Sequence, residues 1–166
     1  MTQVSPSSVL QERFADLQLL RYGVPGFERL PLRQKLLIFY LAEAALWGRD
    51  ILWQQNCPCG LLLRRTLEAV YVNYDGPKDC ADWQAFSVYM KRVWFSSGIH
   101  HHYSCLKFVP EFSRTFFLGE VEKLDASLLP LRADETPVQL AERLADIIFR
   151  PEVMPRRVNT ADGADL

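Results

Sequence analysis

The stretch V-Y-M-K-R-V-W-F-S-S-G-I-H-H-H-Y-S-C-L-K-F-V-P, from Val88 to Pro110, is the most informative part of this chain. Its first half places apolar residues at helical spacing, and Gly98 suits the left-handed position that often ends a helix. All three histidines of the protein, His100, His101 and His102, follow that glycine in a row. The pattern predicts the end of a helix and a loop after it.

Helical spacing of apolar residues extends over most of the chain on both sides of this stretch. The predicted fold class is therefore mostly α, an irregular multi-helix domain with few short strands. Turn signals made of glycine and proline separate the predicted helices. These run from after Ser7–Ser8 to about Tyr22, and over about Leu32–Asn56, Leu61–Tyr74, Cys80–Ser96 and Pro137–Phe149.

The segment from about Leu32 to Asn56 is the best-supported helix, and its small residues indicate close contact with another helix. The last helix has clear start signals, because Thr136 can cap it and Pro137 suits the first helical turn. Glu111–Leu131 mixes helix and loop signals. Prolines from about residue 150 to residue 166 predict extended chain.

Bulk composition limits the classes of protein that this chain can represent. The 166 residues favour a single region over residues 1–166, and 49% apolar residues are enough for a core. A net charge of -1 gives no electrostatic case for nucleic acid or an anionic membrane as partner. No apolar run predicts a membrane span, and no secretory signal is visible, so a cytoplasmic location is expected. A periplasmic location stays open if the N-terminus is incomplete.

The four cysteines are Cys57, Cys59, Cys80 and Cys105. Without a secretory context, reduced thiols are the default expectation. Cys57 and Cys59 form C-x-C rather than the C-x-x-C of redox and zinc sites, and no second pair complements them. They are predicted to be ordinary cysteines in a turn.

The histidine run does not form a complete metal site. Adjacent helical residues do not share a face, and in an extended segment only His100 and His102 could converge. Two imidazoles leave such a site incomplete, so surface or cleft-lining histidines are predicted. A small metal-binding protein that uses the run stays as a weaker alternative. No nucleophile, dinucleotide or P-loop motif is present, and no catalytic residue is assigned.

Several segments, taken in order, resemble the bacterial branch of the dipeptidyl peptidase III family of zinc metallopeptidases. They are F-A-D-L-Q-L-L-R-Y-G-V-P-G-F from Phe14, L-A-E-A-A-L-W-G-R-D-I from Leu41, R-R-T-L-E-A-V, V-Y-M-K-R-V-W-F, G-I-H-H-H-Y, K-F-V-P, and P-E-V-M-P-R-R-V-N-T-A-D-G-A-D-L from Pro151. The resemblance spans nearly the whole chain.

The resemblance implies an enzyme with two lobes around a wide cleft and zinc in the mostly helical upper lobe. The family's zinc ligands come from H-E-x-x-G-H and an E-E-x-R-A-E-type motif, and neither occurs in these 166 residues. The chain is therefore expected to be an N-terminal, lower-lobe part, truncated near residue 166. Zinc belongs to the full-length family, and none is expected in this chain. The implied partners are peptide substrates, through the full enzyme, and a missing C-terminal lobe.

The implied function is to supply substrate-cleft walls for an exopeptidase that removes dipeptides from peptide N-termini. The implied substrate-binding residues are Gly98, His100, His101, His102, Tyr103 and Lys107. A gap-free match puts His100 where the eukaryotic branch has a tyrosine that holds the peptide and the transition-state oxygen. An imidazole N–H can also donate to a developing oxyanion.

Two further expectations follow from the fragment hypothesis. As a polar loop residue off the core, His100 should be replaceable with little effect on folding. Apolar faces left without cover are expected around Phe112, Phe116, Phe117, Ile147 and Ile148. The alternative function is a stand-alone helical interaction module without catalysis.

Overall fold

The computed structural model of the chain describes residues 9–157. It divides into two compact units, Met1–Arg49 and Asp50–Leu166. The predicted class, mostly α with few short strands, is confirmed. The predicted cap at Ser7–Ser8 and the last nine residues of the predicted extended terminus lie outside the described residues.

The regular elements follow one another in a simple order along the described residues. They are β1 Leu10–Phe14, β2 Leu17–Leu20, α1 Leu32–Trp47, α2 Arg49–Asn56, α3 Gly60–Asn73, α4 Ala81–Ser96, α5 Arg114–Glu122 and α6 Pro137–Phe149, with short 3-10 helices at Phe27–Arg29 and Ala126–Leu128.

The first predicted helix is wrong, because the chain forms a β-hairpin there. Strands β1 and β2 pair antiparallel, with Phe14 opposite Leu17. Ala15 opens the connecting turn with a positive φ of 49°. Side chains alternate between more and less exposed along both strands, which is the period of a strand. The apolar spacing fits both periods, and the backbone pairing across the turn decides between them.

The predicted long helix is also wrong in its continuity, because it is divided at Gly48 into α1 and α2. The Gly48 N–H bonds the Ala45 carbonyl at 3.2 Å, a tightened last turn of the kind that ends a helix. None of the side chains of α1 is buried, and the predicted close contact with another helix stays a prediction. Leu36 to Leu41 are each at least 45% exposed.

The second unit contains the larger hydrophobic core. Helix α3 packs against α4 and α5, and α5 packs against α6. Aromatic rings fill the space between these helices: Tyr74 stacks on Trp83 with ring centres 3.9 Å apart, and Phe86 contacts Phe112 edge to face at 5.2 Å. Phe112 also contacts Phe149 at 5.3 Å and so links the core to α6. This packing holds the ends of α4 and α6 close to the loop that follows α4.

Two helix starts in this unit are capped in different ways. The predicted cap of α6 at Thr136 is confirmed, and Gln139 completes a reciprocal capping box with it. The α4 cap is Cys80, whose sulfur accepts from the Trp83 N–H at 3.4 Å. Both caps follow from residues within one turn of the helix start.

The expectation of uncovered apolar faces around Phe112 and Ile148 is wrong. Phe112, Phe117 and Ile148 are buried, and Phe116 and Ile147 are half-buried against the same core. Helix α1, by contrast, exposes a continuous run of large apolar side chains, from Leu36 to Leu41. Within residues 9–157, no helix combines the length and the apolar character needed to cross a bilayer.

Candidate functional site

The loop that contains the candidate residues starts from a tightly closed helix end. Ser97 takes the left-handed conformation, with φ 52°, so the expectation that Gly98 would do so is wrong. The N–H of Ser97 bonds the Trp94 carbonyl and that of Gly98 bonds the Val93 carbonyl, the pattern of a Schellman motif. The Asn56 amide donates to the carbonyls of Ser96 and Ser97, both at 3.1 Å. This side chain ties the end of α2 to the start of the loop.

Three extended segments form a small ribbon after this helix end. Residues 99–101 lie antiparallel to residues 106–108, with a Phe108 N–H to Ile99 carbonyl bond of 2.8 Å. Residues 155–157 add the third segment, through a bridge between Leu106 and Arg156. The loop is therefore held by backbone bonds to a segment about 50 residues later in the chain.

His100 is a core residue of this ribbon, only 2% exposed. The premise that it lies off the core is wrong. Its Nε2 lies 2.8 Å from the Met154 carbonyl oxygen. A carbonyl can only accept, so Nε2 carries the proton and donates it. The donor that the resemblance assigned to a substrate oxygen is thus used within this chain.

Lys107, the antiparallel bridge partner of His100, holds the same distant segment. Its Nζ donates to the Arg150 carbonyl at 2.6 Å and to the Val153 carbonyl at 2.7 Å. Its backbone N–H donates to the Pro155 carbonyl at 3.1 Å. Burial lowers the pKa of Lys107, against the attraction of Glu152. Lys107 and His100 together fix residues 150–155 by four hydrogen bonds.

The remaining candidates, His101, His102 and Tyr103, form together with Phe95 a partly exposed group that we call the aromatic rim. The His102 ring lies 4.9 Å from that of Phe95 and 4.4 Å from those of His101 and Tyr103. The His101 Nδ1 accepts from the backbone N–H groups of Tyr103 and Ser104 and shapes the turn. Tyr103 is 85% exposed, so this end of the rim can contact a ligand.

The structure therefore separates the six predicted site residues into two groups. Gly98 and His100 are buried. The Lys107 ammonium is hydrogen-bonded to backbone carbonyls of residues 150 and 153. His101, His102 and Tyr103 lie together at the surface. A cavity of about 230 Å³ adjoins Lys107 and Phe108 and is lined further by Pro110, Phe149 and Pro155. A larger and more open hollow of about 450 Å³ beside α3 is lined by none of the six.

Replacing His100 by alanine should destabilise the second unit. The Met154 carbonyl loses its donor and a cavity forms in the ribbon, so we expect the free energy of unfolding to fall by about 2 to 4 kcal/mol. Chemical denaturation followed by tryptophan fluorescence would measure this loss. Tyr103→Ala in the same loop is the control and should stay within about 0.5 kcal/mol. Equal stability of both variants would contradict the structural role.

The same histidine should make stability depend on pH. Burial holds the pKa of His100 below its ordinary 6.5, while the Met154 bond opposes this shift and the charges of Lys107 and Arg157 reinforce it. Below about pH 6.5 the unfolded imidazole takes up a proton that the folded one does not. Stability should therefore fall as the pH drops from 6.5 toward the lower pKa of the folded state. His100→Gln should remove that part of the slope.

The structure forms a sulfur cluster beside this ribbon that no sequence pattern indicated. The Cys57 and Cys59 sulfurs are 3.0 Å apart, and the Met154 thioether lies 3.6 Å from the first and 3.8 Å from the second. The hydrogen bond from the Cys59 thiol lowers the pKa of Cys57 to about 7. The same bond raises the pKa of Cys59. The short contact between the two sulfurs therefore favours the form in which one is a thiolate and the other donates its S–H to it.

A catalytic zinc does not fit the histidine run. His100 donates its Nε2–H to the Met154 carbonyl, and His101 accepts two backbone N–H groups at Nδ1. These ring nitrogens are therefore engaged in hydrogen bonds that hold the loop. Across residues 9–157, no three or more His, Cys, Asp or Glu side chains come together as possible metal ligands.

No protein-family model matches the chain, and no curated protein matches it either. The resemblance to dipeptidyl peptidase III therefore stays a prediction.

Proposed function

We propose that this chain forms part of the substrate cleft of a dipeptidyl peptidase III-like zinc exopeptidase. In this proposal the metal and its ligands belong to other parts of the enzyme. The aromatic rim contacts the peptide, and the ribbon beneath it keeps the rim in place. His100 and Lys107 act as positioning residues, because their polar atoms are bonded to the chain itself.

The observation that carries the proposal is the combination of a rigid base with an exposed rim. A ligand-binding loop loses less entropy on binding when its backbone is already fixed. Here the Ile99–Phe108 and Lys107–Pro155 backbone bonds fix the loop, while Tyr103 stays open to solvent. Aromatic and imidazole rings offer a peptide both apolar contact and hydrogen bonds.

The exposed apolar side chains of α1 favour this proposal over a self-contained interaction module. Six consecutive side chains, Leu36 to Leu41, are exposed, and consecutive helical residues point in all directions around the axis. A helix that is apolar all round is usually buried inside a larger fold. A self-contained module is expected to cover such a surface with its own chain.

The test uses two proteins. The chain alone, with added zinc, should release no dipeptide from a chromogenic substrate, because uncatalysed amide hydrolysis is too slow without an activated water. In a full-length homologue that carries this loop, Tyr103→Ala should lower kcat/KM for short peptides roughly 10-fold or more, through loss of one well-placed contact. Bound zinc and the melting temperature should not change.

Val72→Ala is the matched control in the homologue, since Val72 is also an exposed apolar residue, 77% against 85% for Tyr103, but lies on α3. It should leave kcat/KM unchanged. Zinc-dependent dipeptide release by the 166-residue chain would contradict the proposal that the metal and its ligands belong to other parts of the enzyme. Unchanged kinetics of Tyr103→Ala would show that the rim is only a surface feature.

A further inference from the structure

We propose that Cys57, Cys59 and Met154 form a binding site for a soft monovalent metal ion, with Cu(I) as the ion that fits best. This site is independent of the proposed peptidase function. It brings together a C-x-C turn and a methionine almost 100 residues later in the chain.

The three sulfur atoms are already at distances that one metal ion can span. Their triangle has edges of 3.0, 3.6 and 3.8 Å. Its centre is about 2 Å from each sulfur, and a shift of about 1 Å out of the plane brings all three to about 2.3 Å, a metal–thiolate bond length. No large movement of the chain is needed.

The donor set selects the class of ion. Two thiolates and a thioether are soft ligands, which favour Cu(I). Structural zinc takes four ligands from Cys, His, Asp and Glu, and the part of the chain at residues 9–157 brings no third such residue to the two cysteines. Three sulfurs thus complete a low-coordinate Cu(I) site and leave a zinc site incomplete.

The surroundings hold Met154 in a conformation that it would not take by itself. Its φ is 53°, in the left-handed region that is strained for a residue with a side chain. His100 bonds its carbonyl, and Lys107 bonds the Val153 and Pro155 carbonyls on either side. Strain of this kind persists where neighbouring groups enforce it, and it clusters at ligand clamps.

The charges around the site suit a bound cation with two thiolates. One Cu(I) between two thiolates leaves a net negative charge, and Lys107 interacts electrostatically with both cysteines. Both cysteines also interact electrostatically with Tyr89. This tyrosine is buried, and its hydroxyl has no hydrogen-bond partner among residues 9–157. Cys57 is buried while Cys59 and Met154 are half-buried, which leaves an entry path from solvent.

Cu(I) binds thiolates, so a thiol of the pair that is still protonated releases its proton to solvent when the ion binds.

The experiment titrates the reduced full chain with Cu(I) under anaerobic conditions, in competition with a colorimetric Cu(I) chelator. The wild type should retain one equivalent. Cys59→Ser should lose it, and Met154→Leu should weaken it by more than the roughly 10-fold that loss of an outer-shell partner costs. X-ray absorption should show three sulfur neighbours in the wild type and two in Met154→Leu.

Two matched controls separate the site from the other sulfurs. Cys80→Ser changes a cysteine that caps α4, where serine also caps well, and Met90→Leu changes a core methionine at similar volume. Both should retain Cu(I) as the wild type does. Failure of the wild type to retain Cu(I), or equal affinity in Met154→Leu, would overturn the three-sulfur site. Zinc retention as tight as that of Cu(I) would overturn its selectivity.

Discussion

Gly60→Ala should lower the free energy of unfolding of the second unit by about 3 kcal/mol or more. A Cβ at Gly60 would lie 2.1 Å from the Trp53 carbonyl oxygen and 2.8 Å from its carbon. Both are backbone atoms, so no side-chain rotation can relieve the clash. Gly60 also donates its N–H to the Cys57 carbonyl at 2.8 Å, which fixes the turn between α2 and α3. Relief therefore requires these two helices to move apart.

The loss is large because a domain of this size is stable by only about 5 to 15 kcal/mol. Urea denaturation followed by circular dichroism would measure it. Gly119→Ala is the matched control, since Gly119 lies inside α5 and its Cβ would meet nothing within 4 Å. It should stabilise the protein by about 0.5 to 1 kcal/mol, the gain in helix propensity. A Gly60→Ala variant as stable as the wild type would contradict the close approach of α3 to Trp53.

The purified chain should self-associate through α1, and a charged pair on this helix should weaken that association about 100-fold. Leu37 is 58% exposed and Leu41 is 61% exposed, one turn apart on the same face. Burial of each leucine is worth about 1.5 kcal/mol or more, and about 1.4 kcal/mol is tenfold in an association constant. The double variant Leu37→Glu/Leu41→Lys removes both contributions. Its i, i+4 ion pair keeps the helix, and the net charge is unchanged.

Sedimentation equilibrium over a range of concentrations, together with binding of an apolar dye, would measure this change. Val72→Gln is the control, because Val72 is an exposed apolar residue on α3. It should associate as the wild type does. A wild-type chain that stays monomeric and binds little dye would count against exposure of α1 in solution.

Local signals explain which helices could be predicted from the sequence. Helix α6 begins at Pro137 and ends at Phe149 as predicted, because its cap and its apolar face lie within the same 14 residues. The hairpin of β1 and β2 was missed because its apolar residues fit both a helical and an alternating pattern. Only the pairing of two backbones across Ala15 distinguishes them. Gly48 was visible as a small residue, but its role as a helix end was not.

In the candidate site, too, local features could be predicted from the sequence and tertiary contacts could not. The sequence predicted the end of a helix and a loop with three histidines, and the structure has both. Exposure could not be predicted, because three identical neighbours have three different surroundings. His100 is buried and donates to the carbonyl of Met154, 54 residues later in the chain. The His101 ring accepts a backbone N–H from within its own turn, and the His102 ring packs on Phe95.

The sequence by itself determined the helical class and the ends of its locally capped helices, because these depend on residues within a few turns of each other. The tertiary structure alone decided that His100 is a core residue, that α1 is exposed, and that Cys57, Cys59 and Met154 meet. Met154 lies in a segment between two prolines with no periodic pattern, so no local rule places its side chain. Its position follows from the hydrogen bonds of His100 and Lys107 to residues 150–155, and such long-range contacts form only when the whole unit folds.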